Sequence, residues 1–206
     1  MPRDKAAVAV LVSGGGTNLQ ALIDAQAAGI LGSGAIRLVI ANNPNAFALE
    51  RAKAAGIPTA VITKKACGSQ EAFEAALIGA LEAAGIDLIV LAGFMSILSE
   101  TFTSHFPKRI INVHPSLIPS FCGAGFYGLK VHEAALAKGV KVTGATAHFV
   151  NEIPDGGEII LQKAVNVHEG DTPEILQKRV MKQAEWRILP AAVEKVSRKM
   201  LENAGK

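Results

Sequence analysis

Cysteine is scarce in this chain, and long apolar runs are absent. Its two cysteines, Cys67 and Cys122, form neither a CxxC pair nor a framework of the secreted type. A disulfide-stapled extracellular fold is therefore excluded, and a reducing cytoplasm is the expected setting. The opening MPRDKAAV leads into an apolar run that ends at Val12, far short of the roughly 18 residues a membrane helix needs. Neither a signal peptide nor an anchor is expected, and no membrane partner. Charge is thin as well: 19% of residues are charged, and 21 basic against 18 acidic side chains leave a net charge of +3. Lys64-Lys65 is too short for a basic tract, so nucleic acid is not an expected partner, whereas a local anion pocket is compatible.

Other signatures are missing too. No Gly-Lys-Ser/Thr follows the early glycines, so a nucleoside-triphosphate loop is excluded. Leu19 stands where a dinucleotide fingerprint needs its third glycine, and Ala41-Asn42-Asn43 lacks the acid that would hold a ribose. His105, His132 and His168 have no HExxH spacing, and His132-Glu133 runs on into Ala-Ala-Leu, so no metal is expected.

What is present is apolar and periodic. Half of the 206 residues are hydrophobic, enough for a buried core and too many for disorder, and the length fits one α/β domain. Residues 6–12 read as a strand, the glycines as a loop, and Leu19, Leu22 and Ile23 as one face of a helix. Strands follow at 36–41, 58–63, 87–92 and 110–113, with helices at 46–55 and 70–84 between them. Strands alternating with helices imply a parallel sheet covered on both faces. After Gly128 come a helix through Glu133 and Leu136, strands at 142–150 and 158–165 joined by the turn-rich NEIPDGG, and a long helix from Thr172, broken at Pro190. The second half is expected to add antiparallel strands.

Three motifs carry chemistry. In Ser13-Gly-Gly-Gly-Thr-Asn18, between strand and helix, backbone N–H groups and a helix start suit one terminal phosphate. The alternative is a tight turn in which Thr17 or Asn18 merely caps the helix. In Asn112-Val-His114, alternation puts the amide and the imidazole on one face where a strand runs out, as attack on a carbonyl requires. Asp155-Gly-Gly157 offers a carboxylate to orient or charge an imidazole, although Asp-Gly is also ordinary turn chemistry. His148 alternates with Thr146 on a strand and reads as hydrogen-bonded structure. Lys182 and Glu185, three apart on the last helix, read first as a solvated ion pair on one face.

Together with LAGFMSIL, INVHPSLIPSF, TGATAHFV and EGDTPEILQKRV, these motifs resemble those of the phosphoribosylglycinamide formyltransferase family, along nearly the whole chain. The resemblance implies a single Rossmann-like formyltransferase domain over 1–206. Its sheet would be mostly parallel and flanked by helices, with antiparallel strands in the C-terminal half. Residues 1–105 would hold the phosphate, and residues 106–206 would carry catalysis and help hold folate. The implied reaction moves the formyl group of 10-formyltetrahydrofolate, a cosubstrate, to glycinamide ribonucleotide in purine (IMP) biosynthesis. By the same resemblance Asn112, His114 and Asp155 are catalytic, and Gly16, Thr17, Asn18, Met95, Pro115, Lys182 and Glu185 bind the ribonucleotide. Ser96, Ile97, Leu98, Ile110, Asn112, Val150, Glu152 and Asp155 line the folate site, with the pterin against Leu98 and Ile110. A monomer or homodimer is implied.

Two departures stand out. Ser96 occupies a position where many relatives carry Arg, and the 120–129 link is longer than usual, with Lys130 replacing a common His. The nearest alternatives in the superfamily are formyltetrahydrofolate hydrolase, methionyl-tRNA formyltransferase and the sugar N-formyltransferases. The first two carry an additional domain for which 206 residues are not expected to leave room. A non-catalytic phosphate- or folate-binding module is the alternative of a different class.

Overall fold

The computed structural model describes residues 4–205, so the outer ends of the expected 1–206 domain lie outside the described residues. Seven strands, β1 (Ala6–Val12), β2 (Gly34–Ala41), β3 (Thr59–Val61), β4 (Leu88–Leu91), β5 (Ile110–His114), β6 (Val142–Phe149) and β7 (Ile159–Asn166), form one sheet in the order β3-β2-β1-β4-β5-β6-β7. The five from β3 to β5 are parallel, and β6 and β7 run antiparallel to their neighbours, as the change of pattern after Gly128 implies.

Central β1 is buried at every residue, which is why its sequence is continuously apolar and shows no alternation. Its even-numbered side chains Val8, Val10 and Val12 face α1 (Thr17–Ala27), α2 (Ala48–Ala54), α7 (Pro173–Val180) and α8 (Trp186–Ala204), through core residues such as Leu22, Leu49, Val180 and Val193. Its odd-numbered ones pack with Phe73, Leu77 and Leu81 of α4 (Gln70–Ala83) and Phe102 of α5 (Glu100–His105). Each such buried Leu or Phe contributes about 1.5–3 kcal/mol. Side-chain oxygens start the helices: Ser69 accepts from Ala72 N–H, Ser99 from Phe102 and Thr172 from Ile175, with Pro173 at the first position of α7. The remaining helices are α3 (Lys64–Cys67) and α6 (Leu129–Lys138).

Two sequence expectations are corrected. The third strand is shorter than 58–63: Thr63 turns out to be the N-cap of α3, its hydroxyl accepting from Ala66 N–H at 3.1 Å. The final helix is not broken at Pro190, which α8 carries in its interior. Its irregularity lies upstream, in a π-helical turn at Met181–Glu185.

Sheet topology places the cleft. The chain leaves β1 outward through β2 and β3, then returns to β1's other side as β4, so the carboxyl ends of β1 and β4 form the switch point where a crevice opens. The loops after these two strands meet there, Met95 N–H donating to Ser13 Oγ at 2.8 Å.

Candidate active site

The glycine loop after β1 is shaped at Gly16. Its φ is 70°, and a Cβ there would lie 2.6 Å from that of Ala48, so only glycine fits. Gly16, in the left-handed region, is the N-cap of α1, with no side chain capping the helix. The alternative in which Thr17 or Asn18 serves as the cap is therefore overturned. The first α1 N–H bond is Gln20 to Gly16 O at 2.9 Å, which leaves the amides before it pointing out of the helix, as an anion site needs. Arg51, unnoticed in the sequence, braces the loop by donating to Gly15 O at 2.8 Å and Gln20 Oε1 at 3.0 Å.

Asn18 turns its side chain away from its own helix and donates to Glu185 Oε2 at 2.9 Å, leaving its Oδ1 buried and unpartnered. Burial pushes the Glu185 carboxyl above its ordinary range, against the Asn18 hydrogen bond. Lys182 is exposed, so the expected ion pair on one face is not formed. The π turn is the physical reason: each residue there advances the helix by a smaller angle, and side chains three apart diverge.

On the other side of the cleft, β5 and β6 pair antiparallel with Asn112 opposite His148 and His114 opposite Thr146. All four project to the face opposite Ile111, Val113, Ala145 and Ala147, whose side chains belong to the core beneath α7 and α8. Asp155 comes from the β6–β7 hairpin and completes the group. Its Oδ2 lies 3.4 Å from His114 Nδ1 and its Oδ1 3.5 Å from His148 Nε2. Burial raises the Asp155 carboxyl, but hydrogen bonds from His148 and Gly123 N–H, with the charges of both imidazoles, outweigh it and hold the group below its ordinary value.

His148, read in the sequence as structure, is thus a member of the cluster. Its Nδ1–H donates to Phe149 O at 2.8 Å, and its Nε2 lies 3.3 Å from Asn112 Nδ2. The signal was available: a polar alternation, Thr146 and His148, that mirrors Asn112 and His114 on the strand pairing with it.

The long 120–128 segment closes over this group. His114 Nε2–H donates to Phe121 O at 2.8 Å, and Gly123 N–H to Asp155 Oδ2 at 2.9 Å. Phe121 and Asp155 are two of the three non-glycine residues with positive φ among the described residues, so backbone strain collects here. Lys130, the departure noted above, stacks over Tyr127 at 4.6 Å instead of entering the cluster.

The loop after β4 lies between the two groups. Met95 and Ile97 extend into solvent, Ser96 Oγ accepts from Asn42 at 2.7 Å, and Leu98 is buried. Ile110 is wholly buried, its carbonyl accepting from Val150 N–H at 2.9 Å, while Pro115 is half-buried and Glu152 exposed.

Fold and cleft together define a doubly wound α/β protein with a glycine loop and exposed helix-start amides at the end of β1, and an amide, two imidazoles and a carboxylate, suited to carbonyl chemistry, at the end of β5. A family profile described as formyl transferase matches residues 6–193. The chain is 42% identical over 186 residues to the phosphoribosylglycinamide formyltransferase of Escherichia coli, covering 90% of this chain and 84% of that one. It is 47% identical over 195 residues to the human trifunctional purine biosynthetic protein adenosine-3; this covers 95% of the chain but 19% of that protein, so the chain spans about a fifth of the length of such relatives. Among solved structures, glycinamide ribonucleotide transformylase 1 from Symbiobacterium toebii superposes with a TM-score of 0.88 at 42% identity, covering 95% of this chain and 89% of that one. The chain belongs to the formyl transferase family.

Proposed function

We propose that this protein transfers the formyl group of 10-formyltetrahydrofolate to the amine of glycinamide ribonucleotide, a step of purine biosynthesis. What carries the reading is the bonding of His114: both ring nitrogens face acceptors, Phe121 O at 2.8 Å and Asp155 Oδ2 at 3.4 Å, which suits an imidazolium with two donors. The names of the similar proteins support the choice of substrates.

On this reading the single domain divides its work. The phosphate rests on the amides of Gly16, Thr17 and Asn18, with exposed Lys182 as counter-charge, and the ribose meets Glu185. The pair Asn18–Glu185 fits a hydroxyl-bearing ligand, because Asn18 Oδ1 has no donor of its own. Met95 and Pro115 border the glycinamide. The folate lies along residues 95–98 and 150–155, where backbone groups near Ser96, Ile97, Leu98, Ile110, Val150 and Glu152 read the pterin.

The amine nitrogen bonds to the formyl carbon, and the carbonyl electron pair moves to oxygen. Asn112 Nδ2–H and His114 Nε2–H steady that oxyanion. When the electron pair returns, the bond to the folate nitrogen breaks, and the proton lost by the amine reaches that nitrogen through water held by Asp155 and His114. Asp155, ionised because of its donors, faces His114 Nδ1 at 3.4 Å and orients the ring. His114 Nε2–H must exchange Phe121 O for the formyl oxygen, so the 120–128 segment withdraws as substrates enter.

His114→Ala tests the assignment. Formyl transfer is expected to fall at least about a thousandfold, as loss of an oxyanion donor and proton relay implies, while calorimetry finds ribonucleotide binding unchanged. Equal loss of binding and turnover would make His114 structural.

A further inference from the structure

Among the described residues two carboxylates are buried, Glu185 with 7% and Glu74 with 5% of its surface exposed. Glu185 belongs to the anion side of the cleft, whereas Glu74 has no part in the chemistry above. Burying a carboxylate is costly unless donors surround it, and an apolar side chain in its place would pack α4 as well. Phe73, Leu77 and Leu81 already supply the apolar face of that helix. Helix packing does not account for the charge.

Glu74 reaches from α4 to the loop after β4. Its Oε1 accepts Ser99 N–H at 2.7 Å and Gln70 Nε2–H at 2.7 Å, and its Oε2 accepts the Ser99 hydroxyl. Ser99 Oγ in turn accepts Phe102 N–H at 3.3 Å and caps α5. The other hydrogen of the Gln70 amide goes to Ile97 O at 3.1 Å. At the near end of the loop Ser13 holds Met95 N–H at 2.8 Å, and Asn42 holds Ser96 Oγ at 2.7 Å. Residues 95, 96, 97 and 99 each hang on a fixed partner, and Leu98 is buried in the core. Yet the side chains of Met95 and Ile97 are largely in water, at 60% and 81% exposure. A loop with tethered backbone and large apolar side chains held outward is a preformed surface for a flat, apolar ligand.

We propose that Glu74, acting through Ser99 and Gln70, is a positioning residue that sets the 95–99 loop for the formyl donor. The assignment rests on the formyl-transfer reading, so binding and turnover are measured separately. Wild type, Gln70→Ala, Glu74→Ala and Glu74→Gln are titrated calorimetrically with 10-formyltetrahydrofolate, and KM is determined for each substrate. Gln70→Ala and Glu74→Ala are expected to weaken donor binding and raise its KM by about threefold to tenfold, the range one or two hydrogen bonds carry, with the ribonucleotide KM within about twofold. Glu74→Gln, whose amide oxygen still accepts from Ser99 N–H, is expected to recover most of the loss. Unchanged donor affinity in both alanine variants overturns the proposal. So does a parallel loss of affinity for both substrates with a lowered melting temperature, the mark of a residue that only stabilises the fold. A wild type that binds the donor without transferring its formyl group removes the transfer reading and leaves the anchor tested by calorimetry. A wild type that binds no donor overturns both.

Discussion

Three imidazoles lie near one another on this scaffold, and their surroundings give them different roles. His114 faces two acceptors, and His148 Nε2 lies 3.3 Å from Asn112 Nδ2 and 3.5 Å from Asp155 Oδ1. His132, on α6, is wholly buried with neither ring nitrogen bonded. Burial, followed by the charge of His114, pushes the His132 pKa from 6.5 down to about 4. The unfolded chain therefore takes up a proton at this residue between those values, and the folded chain does not. Stability from neutral His132 is complete above pH 6.5 and is lost as pH falls through about 4. His132→Leu is expected to flatten the decline of melting temperature between pH 7 and pH 4.5; an unchanged slope would assign that decline to other groups. Asp155 has the opposite consequence for catalysis. Its pKa lies below the ordinary 3.8, so it stays ionised throughout the neutral range, and its own titration adds no limb to the pH-rate profile there. At this scale Asn112, His114 and Asp155 were legible because polar residues at a strand end and a turn stand out against apolar neighbours. His148 was not, because only the pairing of β6 with β5 turns its side chain into the cleft.

The 120–128 segment is the element most closely tied to the His114–Asp155 group. It holds Asp155 through Gly123 N–H and occupies the donor of His114 through Phe121 O. Gly123 has φ of 86° and open space around its Cβ position, so a side chain there meets backbone strain and no steric obstacle. Gly123→Ala is expected to cost about 1–2 kcal/mol in that conformation, shift the N–H off Asp155 and lower kcat by about tenfold, with KM for the ribonucleotide unchanged. Steady-state kinetics decide: a rise in that KM alone would place the segment on the phosphate side. The π turn is the other element that matters, since it turns Glu185 inward and leaves Lys182 outside. Neither feature could be read from local pattern. The segment is rich in glycine, with no period to follow, and the π turn follows helix-forming residues with no local signal of its register, although in the fold it leaves Ala184 and Glu185 buried. Regular elements with a strong pattern, the continuous apolar run of β1 and the periodic apolar face of α4 among them, were legible to within a residue or two.

For the molecule as a whole, one sheet brings the loops after β1 and β4 together. The parallel half was readable from alternating strands and helices, and the antiparallel tail from the hairpin chemistry of NEIPDGG. Close approach locks that tail: a Cβ on Gly144 would lie 2.1 Å from Lys163 O. On the proposed reading, phosphate at the Gly16 loop and carbonyl chemistry at Asn112 and His114, transfer should require both ligands together. The decisive measurement follows tetrahydrofolate release from 10-formyltetrahydrofolate by absorbance, with and without glycinamide ribonucleotide, and weighs the product by mass spectrometry. The account predicts release only with the ribonucleotide present, and a product heavier by one formyl group. Equal release without it would mean a hydrolase, and no release in either case would contradict formyl transfer to this acceptor.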